Sequence, residues 1–137
     1  MGAPWATRPL QRFALWGILP PLLLLISPAI RGYYDLRPMA ERLATLEAQS
    51  RPLAYVGEYH DQFRFLGRLV TDMTTLDDDR AVTEWAARHP RGHIIEKRRE
   101  PTPRQVEIAG YHQPYRGRIY LIVPADRWPA FIAAGDD

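Results

Sequence analysis

The sequence predicts an α/β protein: one N-terminal transmembrane helix followed by a small mixed sheet covered by helices. Three observations carry this. An uncharged, mostly apolar run, Phe13 to Ile30 (FALWGILPPLLLLISPAI), lies between Arg8 and Arg12 on one side and Arg31 on the other. Beyond it, short apolar strand-like runs alternate with stretches of helical periodicity, the pattern of a sheet covered by helices. Of the 137 residues, those after the run suffice for one small domain and not for two.

At about 1.5 Å per residue the run reaches about 27 Å, close to the roughly 30 Å hydrocarbon core of a bilayer. Pro20 and Pro21 would kink such a helix, which bilayer-embedded helices tolerate better than soluble ones. The same stretch also reads as a secretory signal peptide, with an h-region from Phe13 to Ile26 and small residues Ser27 and Ala29. Pro28 between those two makes a poor match to A-x-A. A buried soluble helix is a third reading; on the first two the rest of the chain is exported. Arg8 and Arg12 are the only charges before the run, so residues 1–12 are expected in the cytoplasm and 31–137 outside it. Tyr33 and Tyr34 suit the membrane–water interface.

Leu36, Met39, Leu43 and Leu46 recur at helical spacing, with Asp35 as N-cap and Pro38 in the first turn; this helix ends near Ser50 and Pro52. Leu53 to Gly57 (LAYVG) is a strand closed by glycine. His60 to Leu69 predicts a second helix, with Phe63, Leu66 and Val70 facing one way. Met73 to Leu76 is a further strand. Asp77 caps a helix from Asp78 to His89, whose Val82, Trp85, Ala86 and His89 share a face and which Pro90 and Gly92 terminate. His93 to Glu96 is a strand, and Lys97 to Pro103 a basic, proline-rich loop. Val106 to Ala109 predicts a strand pairing with Arg118 to Val123 (RIYLIV) across a turn near Pro114 and Gly117. Asp126 and Pro129 open a last helix reaching Ala134. The sheet is expected to be parallel at its start.

Charge narrows the function. Arg8 and Arg12 account for the whole net charge of +2, so the exported part is neutral and offers no electrostatic attraction to nucleic acid. The absence of cysteine excludes a disulfide framework, a thiol nucleophile and a Cys-ligated metal. Asp77, Asp78 and Asp79 spell a D-x-D pattern of the kind that holds divalent cations, but helix capping accounts for all three. His89 and His93 are four apart, yet Pro90 and Gly92 deny them one helical face, so no metal site is expected. Lys97, Arg98 and Arg99 could meet anionic head groups, although Glu96 and Glu100 flank them in the manner of a solvated loop. Neither Ser27 nor Ser50 sits in a nucleophile motif.

The candidate ligand-binding set is Tyr59, His60, Arg64 and Arg68. His60 follows Gly57, Glu58 and Tyr59 where a strand gives way to a helix, the carboxyl-end crevice in which open α/β sheets bind ligands. Arg64 and Arg68 line the ensuing helix and suit phosphate or carboxylate. The competing reading of these residues is a solvated helix face covering an aromatic core.

The last apolar span is followed in turn by "YYDLRPMAERL" (Tyr33 to Leu43), "LAYVG", "EYHDQFRFLGRL" (Glu58 to Leu69) and "DDDRAVTEWAARHP" (Asp77 to Pro90). This order resembles the C-terminal region of integral-membrane glycosyltransferases that use polyprenyl-phosphate sugars, the superfamily of lipid A aminoarabinose transferases and protein mannosyltransferases. The resemblance spans roughly residues 13 to 133. It is carried chiefly by the arginine-proline opening of the first helix (Arg37, Pro38) and by Tyr59 followed by Phe65, Leu66, Gly67 and Arg68. It implies a single-pass protein of the bacterial inner membrane with its C-terminal domain in the periplasm.

The implied partners are the membrane, a polyprenyl-phosphate sugar or other anionic lipid, and the remaining multi-span portion of such a transferase. The family's catalytic acids lie in loops between its early spans, and no position here matches them. No catalytic residue, metal or cofactor is therefore assigned, and the chain is expected to be a terminal span and domain without independent catalysis, as a fragment or as a stand-alone relative of the tail. The alternative is an anchored or secreted non-enzymatic module that binds a small anionic ligand.

Overall fold

A computed structural model describes residues 33–135. The expected cytoplasmic segment 1–12 and the expected span 13–30 lie outside them. Among the described residues no helix is long and apolar enough to cross a membrane.

The α/β expectation holds. Five strands form one mixed sheet in the order β2-β1-β3-β5-β4. These are β1 (Leu53–Val56), β2 (Thr74–Leu76), β3 (His93–Arg98), β4 (Tyr111–Tyr115) and β5 (Arg118–Pro124). As the alternation of elements implied, β1 runs parallel to both β2 and β3, while β5 is antiparallel to β3 and β4. The helices are α1 (Arg37–Ala48), α2 (Gln62–Gly67), α3 (Asp79–Arg88), α4 (Pro103–Ile108) and α5 (Trp128–Ala133), the last entered through a 3₁₀ turn at Ala125–Arg127.

Strand alternation sends side chains into two cores. Tyr55, Ile95, Tyr120 and Ile122 pack with Met39, Leu43 and Leu46 of α1 and Phe63 of α2. Ala54, Ile94, Leu121 and Val123 pack on the other face with Val82 and Trp85 of α3 and with Trp128 and Phe131. The sheet is therefore the middle of three layers. Because α2, which follows β1, and α4, which follows β3, pack on opposite faces, the chain leaves the adjacent carboxyl ends of β1 and β3 in different directions, the topology that opens a crevice there.

Two glycines are fixed by close approach. A Cβ at Gly67 would come within 2.8 Å of the Ala40 carbonyl oxygen, so α2 crosses α1 almost backbone to backbone. A Cβ at Gly92 would come within 2.6 Å of the Trp85 ring.

Several local expectations are corrected. The second helix is shorter than 60–69, and although Phe63 is fully buried, Leu66 and Val70 stand 45% and 83% exposed. Arg68 takes a left-handed conformation (φ +51°), which ends the helix and delivers Leu69 rather than Leu66 to the core. The cap of α3 is Asp78, not Asp77: its Oδ1 accepts from the Ala81 N–H at 2.7 Å. β3 extends two residues beyond Glu96, so Lys97 and Arg98 belong to the sheet.

The expected strand Val106–Ala109 instead falls in helix α4, which ends at Ile108 with Ala109 as its C-cap. Thr102 and Gln105 form a reciprocal capping box, with Pro103 in the first turn. Gln105 is buried and its Nε2 donates to the Phe131 carbonyl, while Thr102 Oγ1 donates to the Ala134 carbonyl, tying α4 to α5. The partner of β5 is consequently β4, which contains Pro114, and the turn lies at Arg116 and Gly117. Pro114 is tolerable because β4 is an edge strand.

Candidate functional site

The β1–α2 connection lies where the sequence pointed, at the carboxyl end of β1. Tyr59 is half-buried there, its ring 6.2 Å from Phe63 and stacked on it. Its hydroxyl accepts from the Arg64 backbone N–H at 3.1 Å, which helps satisfy the first turn of α2. Burial pushes the Tyr59 hydroxyl above its ordinary pKa, against the opposing effect of the Arg64 and Phe63 N–H groups. His60 is exposed, with Nε2 3.7 Å from the Glu58 carboxylate.

Arg64 and Arg68 sit farther along α2. Arg64 Nη1 is bonded at 2.8 Å to Asp72, which precedes β2, and Arg68 caps the helix end in solvent. The four predicted residues thus share a segment. Tyr59 spends its hydroxyl on the helix and Arg64 its guanidinium on Asp72.

A carboxylate that the motif reading passed over lies near the end of β3. Glu96 is on the same face as Ile94, and its Oε1 accepts from Arg98 Nε at 2.8 Å while Oε2 is buried without a hydrogen-bond partner among the described residues. Burial raises its pKa, the Arg98 charge opposes that, and Asp79 at the start of α3 adds to it. Arg98 in turn lies over the Phe131 ring, 5.1 Å from the centroid. The available signal was period 2: in HIIEKR, Glu96 falls on the buried register of Ile94.

The opposite end of the sheet carries two clefts. One, of about 380 Å³, runs past Glu47, Arg51, Leu53 and Asp72. Its Glu47 is already committed, since the carboxylate accepts from the Val70 and Thr71 N–H groups, the latter at 2.6 Å. Burial alone would raise the Glu47 pKa, but those donors outweigh it and leave it lowered.

The other cleft, of about 410 Å³, is lined by Arg42 of α1, Arg51 before β1, Arg91 and His93 around the start of β3, and Asp126 and Arg127 of the 3₁₀ turn. Among the described residues, no carboxylate pairs with any of these four arginines. Burial lowers the His93 pKa, and the Arg51 and Arg42 charges lower it further, against a weaker pull from Asp126. His93 Nδ1 and Arg51 Nε are buried with no hydrogen-bond partner among the described residues. No local motif announces this cluster, because its members come from four separate segments.

Among the described residues, no group of three or more His, Asp or Glu is placed to hold a metal ion. Compared with known protein families, curated proteins and solved structures, the chain matches none of them.

Proposed function

We propose that this chain is the terminal span and extracytoplasmic domain of a polyprenyl-phosphate-sugar transferase, acting beside a multi-span catalytic portion and without a reaction centre of its own. The observation that supports it best is the placement of the folded unit in the chain. An α/β unit begins at Asp35, directly after an uncharged run that ends at Ile30, which is the layout the resemblance implies. On this reading the apolar run holds the domain at the periplasmic face of the inner membrane, and the transfer chemistry resides elsewhere.

A second observation agrees with a docking role. Phe65 and Val70 are each 83% exposed and Leu66 is half-exposed, all within a short stretch on and just beyond α2. Soluble surfaces seldom gather such groups without an apolar partner, and the multi-span portion is the partner assigned to them.

The test is transfer of radiolabelled sugar from a polyprenyl-phosphate donor. The purified chain alone should give no turnover, since one span cannot enclose the lipid phosphate and its developing charge. The chain should also co-purify from native membranes with a multi-span protein. Turnover by the chain alone, abolished by Asp77→Asn or Asp79→Asn, would overturn this assignment and give those two acids a role beyond the start of α3.

A further inference from the structure

We propose that the cleft between Arg42, Arg51, Arg91 and Arg127 is a binding site for a small phosphate-bearing ligand. Four guanidinium groups and one carboxylate, Asp126, face the same space with His93 neutral, so its formal charge is +3. The exported part as a whole is neutral, and this charge is therefore concentrated rather than general. Like charges gathered without counter-charges repel one another, and a bound anion removes that cost.

Guanidinium groups present paired N–H donors that match carboxylate and phosphate oxygens. A local charge of +3 favours the multiply charged phosphate over a single carboxylate. The volume, about 410 Å³, is within the roughly 300–1,000 Å³ range of small-molecule sites. It leaves room for a carbon skeleton against Leu46, Pro90 and Pro124.

The geometry is also held in place before any ligand arrives. The Arg51 N–H donates to the Leu46 carbonyl at 3.0 Å, fixing the chain that leaves α1. The His93 N–H donates to the Pro52 carbonyl at 2.9 Å, joining the starts of β1 and β3. The Ala125 N–H donates to the Gly92 carbonyl, also at 2.9 Å, binding the 3₁₀ turn to the same place. The segments that carry the arginines are thus cross-tied by backbone hydrogen bonds, which reduces the ordering that binding would otherwise require.

The rival account makes these arginines caps for the carboxyl ends of α1 and α3. It fails on the hydrogen bonds. Arg51 Nη1 reaches the Arg91 carbonyl, which lies outside both helices, at a long 3.5 Å. No side chain of Arg42, Arg91 or Arg127 is seen bonding a helix-terminal carbonyl among the described residues.

The experiment is isothermal titration calorimetry on the full chain in zwitterionic detergent. Sodium pyrophosphate and glycerol 3-phosphate are titrated separately, with sodium chloride of matched ionic strength as control. Saturable binding is expected from at least one of them. The double variant Arg91→Gln, Arg127→Gln should weaken it about tenfold or more, since each change removes a charge-assisted hydrogen bond. Both side chains are exposed, and circular dichroism should show the variant folded. If it is not, Arg42→Gln, also exposed, is read in the same way.

Preference for pyrophosphate would identify a water-borne phosphate, and preference for glycerol 3-phosphate a lipid-headgroup type of ester. Either supports the site. Heats no larger than those of chloride, or binding unchanged by the arginine substitutions, would overturn it whatever becomes of the transferase assignment.

Discussion

Arginine and histidine occur together in two regions of this domain, the β1–α2 segment and the cleft at the opposite end of the sheet, and they are handled differently. On the first, Arg64 is held by Asp72 at 2.8 Å, His60 is exposed beside Glu58, and the Tyr59 hydroxyl serves the helix backbone. On the second, Arg42, Arg51, Arg91 and Arg127 converge with Asp126 as the single acid lining the space. Residue type is the same in both places. What differs is whether the fold supplies the counter-charge, and only where it does not is a ligand needed to supply one.

The largest expected effect comes from the support beneath the cleft. Trp85 is 4% exposed, stacks on His89 with ring centroids 4.6 Å apart, and fills the space directly against Gly92. Trp85→Ala should cost about 3–5 kcal/mol in urea unfolding. Phosphate binding should weaken with it, because the turn through Arg91 and Gly92 rests on that ring. A loss under about 1 kcal/mol would mean the ring carries little of the core.

Acidity should separate the two carboxyl- and amino-end groups by sign. Glu96 has a folded pKa above its ordinary 4.5 because it is buried, so its contribution to stability is complete below 4.5 and is lost as pH rises through the raised value. His93 has a folded pKa below its ordinary 6.5 for the same reason, so its contribution is complete above 6.5 and is lost as pH falls through the lowered value. Urea midpoints between about pH 4 and about pH 8 should show this in variants. Glu96→Gln removes the loss on raising pH, and His93→Gln removes the loss on lowering it. Identical profiles for wild type and His93→Gln would break the contrast, since neither burial nor the Arg51 and Arg42 charges would then act on the imidazole.

The smallest effect is expected on the β1–α2 segment. The Arg64–Asp72 pair is half-exposed on one side and almost wholly exposed on the other. Arg64→Gln should cost only about 0.2–1 kcal/mol, less at high salt, and should leave pyrophosphate binding unchanged. A large loss of binding in that variant would return the ligand site to the segment that the sequence indicated.

Much of the architecture was readable because periodicity and local chemistry agreed. RIYLIV is a strand by composition and by burial on both faces, and the helix carrying Val82, Trp85 and Ala86 follows from its spacing and from an aspartate cap, displaced by one residue. The miss at Val106–Ala109 arose where a short apolar run fits either period. There the deciding information was Thr102, Pro103 and Gln105, whose spacing marks a helix start. β4 was overlooked because Pro114 argues against a strand until the strand is known to lie at an edge. For the site, linear reading favoured neighbours such as His60 and Arg64. It had no means of assembling Arg42, Arg51, Arg91 and Arg127, which come together only when α1 packs on the sheet, β1 pairs with β3, and β3 pairs with β5.

The two borders of the sheet bear on how this domain can associate with anything else. β2 offers a lateral row of only three residues, and β4 interrupts its own with Pro114, which has no N–H to donate. Neither border is a good template for another chain to add a strand, the route by which exposed sheets recruit unwanted copies of themselves. That protects the domain from growing into fibres by edge-to-edge pairing. It also means that any lasting protein partner must meet it through side chains on the helical layers, so such a contact can be weakened by single surface substitutions while the sheet beneath stays intact.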